Sequence, residues 1–525
     1  MSRARPIVFL VPMGLLLGAA VWSMVNLEAF FAAASAANTW ILKTFGYAFA
    51  LAVLSFVLTC AWVFVSPLAH VRIGGPDAKP ILSTWNWFSI TLCTTIAIGI
   101  LFWAMAEPMF HVYDAGTRDL GEDPGAPRQF ALVSLFMHWT ISPYAIYTVP
   151  SLVFALSFHN FKTANSVSGP LQLLAGRRFP ARLSEGLDAL VLISLILGMA
   201  ASLGAGMLLL AGGIGSLAKV STTPALLALI AIAIVVLVLI SSLTGLLKGI
   251  RILSDINTKF FFAFVAFVFV FGPSGEILMG ALRALWGYGV EFAPRSLMVG
   301  IGGDRDWANA WTIFYWANWL AWAPVTAMFL GRIAVGYTVR TFILVNLVLP
   351  AVFSMVWMSV LGGFAISTDA ELGGGLKQVL DADGPEAVAF EAITVLPLSG
   401  ILIVALLALS FVSYVTAADS NTEAIRMICE GEADDTAGAI QAGRTGAVTK
   451  IMWMILLGGT AWLMTAFSGL DGIRMLSNLG GLPALFIVSA LNILLLKWTM
   501  ATRSPELNGA PSRTFAGRGI GDTGE

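Results

Sequence analysis

The chain has 525 residues, of which 58% are hydrophobic and only 11% charged, with a formal net charge of −1. A soluble globular protein carries about 25% charged residues, so these charges are too few to coat a water-facing surface of this size. The missing basic excess leaves nothing to neutralise nucleic-acid phosphates and argues against such a partner.

In chain order, the first feature is a basic head followed by a long apolar stretch, MSRARPIVFLVPMGLLLGAAVWSMV. It resembles a signal peptide but has no clear small-residue cleavage site, and is read as a retained first span. A spanning helix needs about 20 mostly apolar residues. About twelve such runs lie near residues 7–26, 45–66, 84–106, 129–157, 187–213, 223–246, 256–281, 308–331, 341–362, 396–418, 449–468 and 479–497. Pro143 and Pro150 fall inside the fourth, which predicts a kink. The runs are continuously apolar, which excludes the alternating strands of a membrane barrel. Cys60, Cys93 and Cys429 show no metal-ligand or CxxC spacing and read as small buried hydrophobes.

Lys and Arg gather in alternate loops: Arg72 and Lys79 after run 2, Arg177, Arg178 and Arg182 after run 4, Arg332 and Arg340 after run 8. The intervening loops are acidic, with Asp114, Asp119, Glu122 and Asp123 after run 3 and Asp369, Glu371, Asp381 and Asp383 after run 9. The positive-inside rule puts both termini in the cytoplasm, and the chain is expected in the plasma (inner) membrane as a multi-pass protein. Residues 282–300 mix aromatic, charged and apolar side chains and read as an external interfacial helix or an ordinary loop. The Gly/Ser/Pro-rich tail, 498–525, reads as a disordered cytoplasmic segment.

The stretch after Trp307 is the most informative. At about 100° per residue, Trp311, Tyr315, Asn318, Trp319 and Trp322 share an arc of roughly 100°, with Trp316 just beyond. Membrane tryptophans usually mark the two interfaces; here they run along one face. Such a face can host an onium cation, which the ring quadrupole attracts and which has no N–H to bond, or it can be an aromatic helix–helix seam without a ligand. Run 4 carries a second group, Trp139, Tyr144 and Tyr147. His138 reads as a hydrogen-bonded interior residue, and Glu107 and Asp419 as carboxylates near helix ends that cap backbone donors or meet water.

These stretches resemble the betaine/carnitine/choline transporter (BCCT) family. The carriers are WTIFYWANWLAWAP at 311–324 and Gly331-Arg332-Ile333, His138-Trp139 and Ala145-Ile146-Tyr147, FWAMAEP at 102–108, Lys248 to Arg251 with Leu253 to Asn257, and Thr416 to Ser420. The resemblance implies an all-α membrane protein of about 12 helices. Two inverted five-helix repeats (LeuT-like), 84–281 (helices 3–7) and 308–497 (helices 8–12), follow two extra helices at 7–66 and a cytoplasmic N-terminus, 1–6. The first helix of each repeat would be interrupted at mid-membrane, where non-helical backbone survives only if it lines a cavity. The implied solute is a quaternary-ammonium or sulfonium zwitterion of the betaine, carnitine, choline or dimethylsulfoniopropionate type. The implied substrate-binding residues are Trp139, Tyr144, Tyr147, Trp316, Asn318, Trp319, Trp322 and Gly99. The implied coupling ion, Na+ or H+, would sit near Thr416, Ile96 and Ala97; no other cofactor is implied, and the assembly would be a homotrimer in lipid.

Departures from the family pattern bear on substrate and coupling. Only Gly99 remains of a glycine run at 95–99, Asn318 stands where tryptophan is frequent, and Thr416 is followed by Ala417 rather than serine. The arginine of exchanger-type members would fall at Asn257 and is absent. Cation-coupled symport is the favoured expectation, with ion-free substrate/product exchange, or amino-acid or amine transport on the same fold, as alternatives. No P-loop, Ser–His pair or membrane-embedded His/Asp/Glu cluster is visible in the sequence, so an enzyme is not expected.

Overall fold

The computed structural model describes residues 5–96, 99–114, 120, 125–163, 166–244, 247–299, 305–430 and 436–501. Among these residues the regular secondary structure is helical, apart from an isolated bridge between Arg72 and Thr338. The first helices are α1 (Pro6–Val25) and α2 (Leu27–Val65). The first half continues with α3 (Thr84–Ile96), α4 (Gly99–Tyr113), α5 (Ala126–Trp139), α6 (Ile141–His159), α7 (Ser168–Ala175), α8 (Ala181–Ala218), α9 (Pro224–Thr244) and α10 (Leu247–Phe271). A separate helix, α11 (Ser274–Ser296), leads to α12 (Arg305–Ala308) and α13 (Phe314–Arg332). Then come α14 (Val339–Ile343), α15 (Leu349–Glu371), α16 (Gly375–Asp383), α17 (Pro385–Ile393), α18 (Ser399–Glu430) and α19 (Thr436–Met500).

Among the described residues the twelve apolar runs are mainly helical, and seven helices are long and apolar enough to cross a membrane, or eight with the bent pair α3/α4. The last of them, Ile451–Met500, is far longer than one crossing and is broken at Gly469 (φ 52°, ψ −131°), so it contains two runs. The tryptophan run at 308–331 is absent from that set. Its indoles, phenol and amide lower its hydropathy, yet α13 is buried among other helices. Run 7 and the interfacial segment divide differently from the sequence reading. α10 stops at Phe271, because Gly272-Pro273 interrupts the helix, and the next helix starts at Ser274 rather than near 282. The outward side chains are apolar, among them Leu51, Leu58, Ile232, Val270, Val352 and Ile455, as a hydrocarbon solvent requires.

Besides the break at Gly469, helices are interrupted at four further points among the described residues. α3 and α4 form one span bent by 57° between Thr95 and Gly99. α5 and α6 part at Thr140 (φ −117°, ψ −114°). Pro143 explains that break, since its ring cannot donate a backbone hydrogen bond and clashes with the carbonyl of residue 139. The segment before α13, Asn309–Ile313, is a π-turn, and a second π-turn, Leu344–Val348, precedes α15. Bulges of this kind occur often at functional sites.

α13 lies at the centre, packed against α6, α8 and α19. Small residues allow this approach, the usual device where lipid offers no hydrophobic drive. A Cβ on Gly481 of α19 would lie 2.6 Å from the Ala317 carbonyl oxygen and 2.7 Å from its Cα.

The loops sort to two ends. At one, Arg72 donates to the Gly336 carbonyl (2.6 Å), Asn160 donates to the Arg72 carbonyl (3.1 Å), and the Arg5 guanidinium meets Asp188 and the Ile428 carbonyl. At the other, Trp311 donates to Asp114 (3.3 Å) and Tyr113 to Asp369 (2.6 Å). The N-terminus and the basic loops therefore share one end, and the acidic loops after runs 3 and 9 share the other.

Gly481→Ala is expected to lower stability by about 1–3 kcal/mol, the usual cost of overpacking. Gly459→Ala, at an exposed helical position with nothing within 4 Å of the new methyl, is expected to leave it unchanged or slightly raised. Thermal unfolding of both variants in detergent checks the contrast.

Candidate functional site

The breaks in α3/α4 and α5/α6 and the π-turn before α13 bring aromatic rings from α5, α6 and α13 together. Trp319 is the centre of the group. Its ring centroid lies 5.8 Å from Trp139, 5.8 Å from Tyr144 and 5.0 Å from Tyr147, with interplanar angles of 74°, 60° and 62°. Trp139, Tyr147 and Trp319 are each about 5% exposed, and Tyr144 is fully buried. The Tyr144 hydroxyl is paired with Ser354 of α15 at 3.0 Å. The rings present faces and edges at steep angles rather than stacking flat, the arrangement in which several π faces can be offered to one cation.

Gly99 begins α4 beside this group. A Cβ there would lie 2.7 Å from the Cη2 edge of Trp139, so the missing side chain is what lets the indole occupy its place.

The other residues singled out from the sequence go elsewhere. Trp316 is fully buried and donates Nε1–H to the Met137 carbonyl (3.4 Å). Asn318 donates its amide to Ser477 on α19 (2.9 Å). Trp322 lies against Gly198 of α8, where a Cβ would be 3.0 Å from its Cδ1. The single arc read from the sequence thus divides: Trp319 faces the rings of α5 and α6, Asn318 turns to α19 and Trp322 to α8. Of the ion-site positions, Ala97 and the side chains of Ile96 and Thr416 lie outside the described residues. One turn before Thr416, Ser413 accepts from the buried Asn257 amide at 3.2 Å, which ties α18 to α10.

Sequence reasoning missed a polar cluster directly behind Trp139. Glu107 is fully buried in α4, not near solvent at a helix end. Its Oε2 accepts from Trp139 Nε1 (2.8 Å), and its Oε1 lies 3.0 Å from His111 Nε2 and 2.5 Å from His138 Nδ1. His138 Nε2 pairs with the Thr312 hydroxyl (3.0 Å), and its ring stacks on Tyr315 (4.7 Å between centroids). The expectation of no embedded His/Asp/Glu group is therefore corrected: Glu107, His111 and His138 lie together, all buried. The i, i+4 spacing of Glu107 and His111 was a visible signal. The third member comes from α5, and no local pattern announces it.

The family model described as "BCCT, betaine/carnitine/choline family transporter" matches residues 7–504. An ectoine/hydroxyectoine transporter of Virgibacillus pantothenticus is 30% identical over 84% of this chain and 85% of its own length. The glycine betaine transporter OpuD of Bacillus subtilis is 26% identical over 92% of each. A solved structure of a Na+-coupled sialic acid symporter, in a substrate-bound outward-open state, shares the fold with a TM-score of 0.50 at 16% identity, over 86% of this chain and 85% of that one. The embedded carboxylate–imidazole group does not make the chain an enzyme; it is a multi-pass membrane transporter for a small solute, and it belongs to the betaine/carnitine/choline transporter family.

Proposed function

We propose that the protein carries an onium zwitterion across the plasma membrane by alternating access, holding the charged head group among Trp139, Tyr144, Tyr147 and Trp319. The supporting observation is the convergence of three rings from α5 and α6 on Trp319, in a region almost without water access. A quaternary ammonium or sulfonium cannot donate a hydrogen bond, so it must be compensated by dispersion and ring quadrupoles. Each ring contributes about 2 kcal/mol when desolvated, and several together can offset much of the dehydration. A relative named for glycine betaine, a quaternary-ammonium zwitterion, fits this chemistry. Amino-acid or amine substrates need acceptors for their N–H groups, and phenol and indole faces dominate here.

Gly99 gives the site its width by admitting the Trp139 edge, and Trp316 and Asn318 orient α13 through their bonds to Met137 and Ser477. Trp322, a turn further along α13 against α8, marks the route to the end of the bundle where the basic loops gather. That end is cytoplasmic on the positive-inside rule, with both termini there. Transport is driven by a cation gradient, and the homotrimer implied by the family is its assembly.

In proteoliposomes, Trp319→Ala and Trp139→Ala are each expected to weaken solute affinity about tenfold, equivalent to about 1.4 kcal/mol. Trp319→Phe, which keeps a ring face, is expected to lose less. Labelled glycine betaine, ectoine, choline, carnitine and dimethylsulfoniopropionate form the test panel. Normal insertion with unchanged binding in both alanine variants overturns the placement.

Gly99→Ala is expected to weaken binding several-fold by displacing Trp139, since its methyl would meet the indole at 2.7 Å. Solute titration of the folded variant reads this, and an affinity equal to wild type removes the role assigned to Gly99.

An inward sodium or proton gradient is expected to drive solute accumulation above the equilibrium level. Uptake indifferent to both gradients but accelerated by solute inside the vesicles identifies exchange instead.

A further inference from the structure

Ring faces satisfy only one end of a zwitterion. They attract the onium head but not a carboxylate, and a carboxylate taken out of water needs hydrogen-bond donors. Two polar groups of the ring box are already committed: Trp139 Nε1 to Glu107 (2.8 Å) and the Tyr144 hydroxyl to Ser354 (3.0 Å). A further hydroxyl in the same region is not. Thr326 of α13 is 2% exposed, and its Oγ1 is buried without a hydrogen-bond partner.

The helix period puts this hydroxyl in line with the box. Thr326 follows Trp319 on the continuous helix α13 after a rotation of about 700°, so it points within about 20° of the Trp319 direction, two turns further along. α6 runs beside α13 in the same sense. Tyr147 meets Trp319, and Ala155 meets Gly331, where a Cβ would lie 2.9 Å from the Ala155 nitrogen. At the end of α6, His159 reaches the carbonyls of Gly331 and Arg332 (3.2 and 3.1 Å). Thr326 therefore stands on the basic-loop side of the rings. Tyr147 joins the two levels. Its ring centroid is 5.0 Å from that of Trp319, and its hydroxyl stands beside that of Thr326 without forming a hydrogen bond to it.

A buried hydroxyl left unpaired is destabilising, and an apolar group of the same shape would avoid that cost. A helical Thr or Ser also has a local acceptor within reach, the carbonyl four residues back. Ser134, Thr140, Ser151 and Ser410 all use it here, and Thr326 does not. Other buried hydroxyls lack a partner too, Ser89 and Thr148 among them. What sets Thr326 apart is the Tyr147 hydroxyl beside it and the Trp319 ring two turns up the same face.

We propose that the hydroxyls of Thr326 and Tyr147 are the specificity-determining donors for the carboxylate of the solute, which they hold on the basic-loop side of the onium box. This rests on the reading of the ring box as the solute site. In glycine betaine a single methylene separates the quaternary nitrogen from the carboxylate. A head group on the faces of Trp319 and Tyr147 thus leaves the carboxylate at the hydroxyl edge of the same phenol. O–H donors to a carboxylate are charge-assisted and about twice as strong as neutral hydrogen bonds. Choline carries an alcohol in place of the carboxylate and gains only the weaker kind. The pair therefore favours carboxylate-bearing onium solutes over simple onium cations.

The test is equilibrium binding of radiolabelled glycine betaine and choline to the purified full-length protein and its variants. Thr326→Val keeps the shape and removes the hydroxyl. Its ratio of glycine betaine to choline affinity is expected to fall about tenfold from wild type, as for loss of a hydrogen bond to a charged group. Thr326→Ser is expected to restore most of the ratio, and Tyr147→Phe, which keeps the ring, to lower it in the same direction. Without solute, Thr326→Val is expected to unfold at the wild-type temperature or above, because no protein hydrogen bond is lost. A ratio unchanged or raised in Thr326→Val overturns the proposal; equal weakening of both solutes is such a result and indicates a structural role. The ring box survives that outcome if Trp319→Ala weakens both solutes. If Trp319→Ala weakens neither, or wild type binds neither, the ring-box reading fails and this inference with it.

Discussion

The Trp139 indole is the joint on which this structure turns. Its N–H is held by Glu107, its edge lies where a side chain at Gly99 would be, and its faces meet Tyr315 and Trp319. One ring therefore links α4, α5 and α13, the helices whose interruptions define the centre of the molecule. The break after Trp139 sets its direction. With Pro143 four residues on, α5 ends at this tryptophan and α6 begins after Thr140, so that Trp139 and the tyrosines of α6 all reach Trp319.

Interrupting helices in hydrocarbon is expensive unless the exposed groups find partners. The fold meets this cost by pairing the polar residues it buries within an apolar core and by covering its outside with apolar ones. Glu107, His111, His138, Thr312 and Ser354 are buried together near the breaks, while leucine, isoleucine and valine cover the outer surface. A buried carboxylate without donors would be strongly destabilising. Here three ring nitrogens converge on it, and two of them come from adjacent residues, His138 and Trp139, at the end of α5.

In the proposed site the rings replace the hydration of a permanent cation without requiring hydrogen bonds. Carriers must also release what they bind, so a site that depends on several modest contacts suits the task better than one deep charge pair. The small residues around α13, including Gly481 against Ala317, let that helix approach its neighbours closely at the level where the solute would be exchanged.

The membrane class and the helical content were legible in the sequence, because hydrocarbon imposes length and apolarity on every crossing segment. The two aromatic groups were legible as well, since tryptophan is costly away from an interface and its spacing in 311–322 follows a helical period. What the period could not give was the division of that arc, in which Trp319 faces α5 and α6 while Asn318 bonds Ser477 and Trp322 packs on Gly198. A π-turn just upstream alters the register, and the neighbours of each face come from distant segments. The Glu107–His111–His138 cluster was only half visible, as an i, i+4 pair on α4. Its third member joins from a residue 31 positions away from Glu107, because helix packing, not local sequence, decides which buried polar groups must satisfy one another.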